Sequence, residues 1–307
     1  MTEMWRQLCV LNSHFRSRQL FTYPLGMNAT NATAAVQNIH PSWFDWITVA
    51  AIIFRRYAFI SVLTASCGAF AAAGKAEGDV SVETIARVKH SVVPVVCGFL
   101  DAQGTFRVAR ILGTGFFVDT LGRFLTASHV LDDMEKQKKI TECSEAIYIS
   151  KDGWEKFAET INLRYIAVTQ CRRDTKIDLA VCQLVENPFT SLKKGSVEAL
   201  SFETEEQPDG CPIAFSGFPL QDPFPVTSIG IVAGKGSSAD VPGYFDYFVD
   251  KAAWPGASGS PVYLANGKVI GLLRSTGLNS GSGLSYARSA KAITDFLAKN
   301  PANLPTR

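Results

Sequence analysis

The stretch Gly113-Thr-Gly-Phe-Phe-Val-Asp-Thr-Leu-Gly-Arg-Phe-Leu-Thr-Ala-Ser-His129 runs through apolar residues, punctuated by glycines, up to a histidine. Of the 4 histidines in 307 residues, only His90 and His129 lie beyond the apolar N-terminal region. Farther along come Ile177-Asp178-Leu-Ala-Val181 and then Pro255-Gly-Ala-Ser258-Gly-Ser-Pro261. A serine hydroxyl becomes an effective nucleophile when an imidazole takes its proton, and the imidazole works best when a carboxylate fixes its tautomer. His129, Asp178 and Ser258 fit those three roles as base, orienting acid and nucleophile. Taken singly, each has a plainer reading: a core histidine, an aspartate capping a strand end, a flexible glycine-serine turn. His90, in Arg87-Val-Lys-His90 ahead of the first expected strands, suits a surface role better. Asp178 stands apart from the other acids because it opens the apolar run Leu179-Ala-Val-Cys-Gln-Leu184, the pattern of a buried strand.

The order His, Asp, Ser is that of chymotrypsin-like β-barrel peptidases, whereas subtilisins run Asp, His, Ser and α/β-hydrolases run Ser, acid, His. Gly256-Ala-Ser258-Gly-Ser260 also departs from the G-x-S-x-G elbow at its last position, and Pro261-Val-Tyr-Leu264 reads as a strand where an elbow needs a helix. A lipase or esterase is therefore disfavoured. The segments Gly113 to Asp119, Leu125 to Leu131, Asp178 to Val181 and Pro255 to Pro261 resemble the catalytic core of trypsin-like peptidases, closest to the bacterial HtrA type. Phe215-Ser-Gly-Phe-Pro219 and Val226-Thr-Ser-Ile-Gly-Ile-Val-Ala-Gly234 add lesser matches, so the likeness spans residues 82–297. It implies an all-β fold of two antiparallel six-stranded barrels with a C-terminal helix. The first barrel, about 91–195, would carry His129 and Asp178; the second, about 205–290, would carry Ser258, with 298–307 as a tail. The implied activity is serine endopeptidase hydrolysis of a polypeptide through an acyl-enzyme.

The same resemblance assigns the backbone N–H groups of Gly256 and Ser258 to an oxyanion hole. Between them stands Ala257, where animal trypsins have Asp and HtrA peptidases Asn. Alanine cannot receive a new N-terminal ammonium group, so trypsin-style activation is not expected, and the loop loses a side-chain hydrogen bond that could hold it. The alternative that follows is a weak or inactive member that binds extended polypeptide as a scaffold or chaperone-like module. Alignment of the nucleophile loop draws a substrate pocket from Lys251, Ala252 and Ala253 before Ser258 and from Leu272, Leu273 and Arg274 after it. Trypsin's pocket aspartate falls on Ala252, which disfavours Arg or Lys at P1 and leaves small or medium apolar residues. A glutamate preference would need Lys251 or Arg274 to turn into the pocket. HtrA proteins carry PDZ domains after the protease; ten residues follow Leu297 here, and a catalytic domain without one is expected.

Composition agrees with a β-rich folded unit: 47% hydrophobic residues for the core, and 24 Gly and 14 Pro for turns. A net charge of +2 gives no reason to invoke nucleic acid. Ser91-Val-Val-Pro-Val-Val96, Val226 to Val232 and Lys268 to Leu273 read as strands, and Ala290, Ile293 and Leu297 share one face of a C-terminal helix. Near the N-terminus, Arg55-Arg56 precede an apolar run from Tyr57 to Ala73 that ends in Ala69-Phe-Ala71, the small-residue pattern of a signal-peptidase site. Residues 55–73 thus read as a signal peptide or signal anchor, 1–54 as an N-terminal extension or cytoplasmic tail, and the product as exported, periplasmic or secreted. Any membrane attachment would run through 57–73. The 7 cysteines show no C-x-x-C or other metal spacing, so no metal and no cofactor is implied. Cys97, Cys143, Cys171, Cys182 and Cys211 remain after the signal; Cys143 with Cys171 is the expected pair, and Cys182 a buried thiol.

Overall fold

The computed structural model describes residues 78–151, 154, 162–237, 241–276 and 283–302. The expectations for 1–54 and 55–73 lie outside them. Among the described residues, six strands close the first barrel: β1 (Val92–Leu100), β2 (Phe106–Phe117), β3 (Arg123–Thr126), β4 (Ser144–Ser150), β5 (Leu163–Asp174) and β6 (Leu179–Leu184), in spatial order β1-β2-β3-β6-β5-β4. Six more close the second: β7 (Pro212–Gly217), β8 (Val226–Ser237), β9 (Phe245–Asp250), β10 (Pro261–Tyr263), β11 (Val269–Thr276) and β12 (Leu284–Ser289), in order β10-β11-β12-β9-β8-β7. The helices are α1 (Val82–Lys89), α2 (Ser128–Thr141), α3 (Pro188–Ser191) and α4 (Ala290–Lys299). Every strand pair is antiparallel, and closure removes the exposed edges that an open sheet would leave. The three segments read as strands lie in β1, β8 and β11.

Two apolar clusters hold the barrels. The larger takes Phe116, Phe124, Leu125 and Ile147 of the first barrel together with Phe218, Leu272, Ile293 and Phe296, so one core runs from the first barrel into the second and under α4. The smaller fills the second barrel with Ile213, Val232, Val249, Val262 and Leu273. Each such side chain, fully buried, is worth about 1.5–3 kcal/mol of transfer free energy. In α4 the helical period holds with a slightly rotated face: Ala290, Ala292, Ile293 and Phe296 are buried, and Leu297 packs half-buried against the same core.

Two local features differ from the sequence reading. A 14-residue helix, α2, carries His129 as its second residue; its charged run Asp132-Asp-Met-Glu-Lys-Gln-Lys-Lys139 hides the short apolar face of Val130, Leu131 and Met134. It ends on Glu142 in the left-handed region, φ 50°. The cysteines also pair otherwise than expected: the bonds are Cys97–Cys143 and Cys171–Cys182, so Cys143 does not join Cys171 and Cys182 is not a free thiol. Register decides this. Cys171 of β5 stands directly opposite Cys182 of β6, with Cα atoms 4.0 Å apart, while the end of α2 brings Cys143 beside Cys97 of β1. Cys211 is the free thiol of the described residues, half-buried.

Candidate active site

Strand register joins His129 to Asp178. Thr126 pairs with Ala180 across β3 and β6, so the chain leaving β3 runs back past the residues that precede β6. Asp178 takes φ 56°, a left-handed turn that lets it enter β6 while its side chain faces the start of α2. Its carboxylate accepts twice from His129: the backbone N–H reaches Oδ1 at 3.0 Å, and ring Nδ1 lies 2.9 Å from Oδ2 and 3.1 Å from Oδ1. The Asp178 carbonyl also accepts from Ser128 N–H at 3.3 Å. Burial pushes the Asp178 carboxyl up, but the hydrogen bonds and charge of His129, with the Arg274 guanidinium nearby, outweigh it and hold the group below the ordinary carboxylate range. With Nδ1 occupied, the other ring nitrogen, Nε2, is left for a reacting group.

His129 shares a cleft of about 420 Å³ with Gly256 and Ser258; Leu112, Asp133 and Gln221 are among its other walls. A larger cavity, about 630 Å³, lies against Leu131, Glu145 and Cys171 and includes none of these residues. There Glu145, Cys171 and Cys182 cluster as a metal site would, but both sulfurs are in the disulfide and cannot act as thiolates. His90 is half-buried at the end of α1, its Nδ1 3.2 Å from the Ser196 carbonyl.

The loop that carries Ser258 is held from several sides. Thr114, fully buried in β2, donates its hydroxyl to the Gly256 carbonyl at 2.8 Å and accepts from Phe218 N–H at 2.9 Å, while its own N–H donates to the Ser258 carbonyl at 2.8 Å. Ala257 N–H donates to the Trp254 carbonyl, and the Ala257 carbonyl accepts from both the N–H and the hydroxyl of Ser260. The Pro255 carbonyl accepts from Leu220 N–H at 2.7 Å. Among the described residues no peptide is cis, and N–H and C=O of a trans peptide point in opposite directions. Pinning the Pro255 oxygen toward Leu220 therefore turns Gly256 N–H the other way. Among the described residues, neither Gly256 N–H nor Ser258 N–H has a protein acceptor. Gly256 has φ 96°, and a Cβ there would lie 2.3 Å from the Phe218 carbonyl oxygen, so only glycine fits.

The Ser258 hydroxyl donates to the Arg274 carbonyl at 3.0 Å, and this is its hydrogen bond in place of one to His129. The residues expected to form a substrate pocket are distributed differently. Lys251 is exposed, Ala252 half-buried and Ala253 buried, while Leu272 and Leu273 point into the two cores because both faces of β11 are covered. Arg274 turns its guanidinium to Asp178 and Asp246 rather than into a pocket, with Nε 3.3 Å from Asp178 Oδ2 and Nη1 2.9 Å from Asp246 Oδ2. Sequence reading missed Thr114, Gln221 and Asp246 around this site. The Gly113-Thr-Gly triplet beside the histidine segment is the one signal that could have found Thr114.

Comparison with known proteins agrees with this architecture. Residues 113–272 match the trypsin-like peptidase domain family. A probable periplasmic serine endoprotease DegP-like of Pseudomonas fulva is 29% identical over 187 residues, covering 60% of this chain and 33% of that protein. Its namesake in Chlamydia muridarum is 30% identical over 192 residues, covering 62% and 32%. The chain thus spans about a third of the length of the curated relatives it matches. Among solved structures, Deg5 aligns with a TM-score of 0.50 at 18% identity, over 70% of this chain and 90% of that one. An inactive, serine-to-alanine form of Rv3671c from M. tuberculosis H37Rv aligns with a TM-score of 0.50 at 18% identity, over 76% and 98%. These likenesses carry the fold, two closed six-stranded barrels and a C-terminal helix. The chain belongs to the trypsin-like peptidase domain family.

Proposed function

We propose that this chain is a serine endopeptidase of the HtrA/DegP type, with Ser258 as nucleophile, His129 as general base and then acid, and Asp178 orienting the imidazole. The observation that carries the reading is the contact of His129 Nδ1 with both oxygens of the Asp178 carboxylate, in a cleft shared with Ser258 and Gly256. Turnover begins with rotation of the Ser258 hydroxyl off the Arg274 carbonyl, roughly 120° about χ1 between staggered wells, to reach His129 Nε2. Oγ then attacks the scissile carbonyl carbon as its proton passes to Nε2, and Gly256 and Ser258 N–H receive the oxyanion. Collapse of the tetrahedral intermediate breaks the C–N bond. The amine leaves with the proton from His129, and water, deprotonated by the same nitrogen, hydrolyses the acyl-enzyme. The partner is a polypeptide substrate. An exported location, periplasmic or secreted, is supported by the signal-like 55–73 segment and by relatives named periplasmic. Among the described residues no helix is long and apolar enough to cross a membrane.

The hydrogen bond from Ser258 to Arg274 favours a second reading, in which the hydroxyl rests turned away and the fold serves to bind extended polypeptide. One experiment separates the two: fluorophosphonate labelling of the 307-residue chain, with Ser258→Ala and His129→Ala as controls. Labelling that requires both residues supports the peptidase. A folded chain that takes no label overturns it in favour of the binding module.

A further inference from the structure

Arg274 touches two of the three residues assigned to catalysis, and a local defect in β11 aims it there. The β11–β12 register steps from Leu273↔Ala287 to Ser275↔Tyr286, so Arg274 is the extra residue of a bulge. A bulged residue leaves the in-out alternation of its strand and can direct its side chain along the sheet rather than into a core. The guanidinium spans two carboxylates, Asp178 at 3.3 Å from Nε and Asp246 at 2.9 Å from Nη1. Asp246 comes from β9 and forms a second ion pair, with Arg288 of β12, whose Nε lies 3.3 Å from Asp246 Oδ1 and whose side chain is fully buried. His129 of α2 closes the series on the other side of Asp178.

Beyond His129, the cluster holds two carboxylates and two guanidinium groups. Asp246, itself paired with Arg288, accepts from Arg274 Nη1 and so tethers the guanidinium where its Nε meets the Asp178 carboxylate. The main chain of Arg274 accepts the resting Ser258 hydroxyl. Alanine or serine here would leave Asp178 with the His129 contacts alone on its cleft side.

We infer that Arg274, carried on the β11 bulge and tethered by Asp246, is a positioning residue for the His129–Asp178 pair and not part of the substrate pocket. This rests on the catalytic assignment above. The test measures kcat and KM of the 307-residue chain on an uncharged peptide substrate for Arg274→Gln, Arg274→Lys, Asp246→Asn and the Arg274→Gln/Asp246→Asn double variant. Arg274→Gln is expected to lower kcat roughly 10-fold or more with KM within about twofold, since orientation of the base matters in the transition state rather than in binding. Arg274→Lys recovers part of the loss. Asp246→Asn lowers kcat as well, and the double variant is no worse than the poorer single one, as two members of one network require. A rise in KM at unchanged kcat would make Arg274 a pocket residue and overturn the inference, as would wild-type turnover by Arg274→Gln. Should that variant not fold, Asp246→Asn at wild-type kcat overturns it equally. Full turnover by Ser258→Ala or His129→Ala would instead refute the catalytic assignment itself.

Discussion

Replacing Thr114 by valine tests whether one first-barrel hydroxyl keeps the loop that carries Ser258 in shape. The side chains are nearly isosteric, so packing in this fully buried site is retained while the hydroxyl is lost. Two partners then lose their bonds, the Gly256 carbonyl at 2.8 Å and Phe218 N–H at 2.9 Å; the backbone bond from Thr114 to Ser258 stays. Leaving a buried donor or acceptor unsatisfied costs about 1–3 kcal/mol each, so the pair predicts a loss of about 2–6 kcal/mol. At about 2–4 °C per kcal/mol for a domain of this size, Tm falls by roughly 10 °C. Catalysis suffers separately, because the freed Gly256 carbonyl lets the Gly256–Ala257 peptide rotate and leaves the Pro255–Leu220 bond to orient Gly256 N–H. If Gly256 N–H is an oxyanion donor, kcat drops by up to about 10²–10³. Thr114→Ser keeps donor and acceptor, losing one buried methyl worth about 1 kcal/mol, and leaves kcat nearly intact. The assays are thermal melts by circular dichroism and the rate of fluorophosphonate labelling. Labelling of Thr114→Val at the wild-type rate would refute the reasoning, whatever happened to Tm.

Gly256→Ala is expected to abolish labelling and destabilise the fold, because it combines φ 96° with a Cβ 2.3 Å from the Phe218 oxygen; a wild-type labelling rate would exclude the required loop shape. Non-reduced peptide mapping should recover Cys97 joined to Cys143 and Cys171 joined to Cys182, with Cys211 alkylated. Loop-closure entropy over sequence separations of 46 and 11 makes the first bond worth about 4 and the second about 3 kcal/mol, so urea titration should find Cys97→Ser more destabilising than Cys182→Ser. The lowered pKa of Asp178 contributes stability that is complete above the unfolded value near 3.8 and is lost as pH falls through the lower folded value. Urea unfolding should therefore show the stability gap between wild type and Asp178→Asn shrinking as pH is taken from about 5 to about 2.5, and a constant gap would mean the carboxylate is not held low.

The sequence by itself determined the features that short stretches encode. Val92 to Val96 is a strand because its four valines, β-branched and apolar, find their lowest energy on a buried pleated surface. His129, Asp178 and Ser258 could be singled out because each carries distinctive chemistry in a distinctive flank, and their order selects a barrel fold. Gly256 is legible too, as the glycine of a crowded loop. What tertiary structure alone decided is everything that depends on register between distant strands. Cys171 meets Cys182 because β5 and β6 put them opposite one another, a fact that no spacing along the chain reveals. Arg274 faces Asp178, 96 residues away, because a single bulge in β11 interrupts the alternation that would have sent it elsewhere. Thr114 reaches Gly256 across 142 residues because two barrels close against each other along a shared core. Local pattern reflects forces between near neighbours, whereas these contacts arise from where closed sheets bring together side chains that sequence leaves far apart.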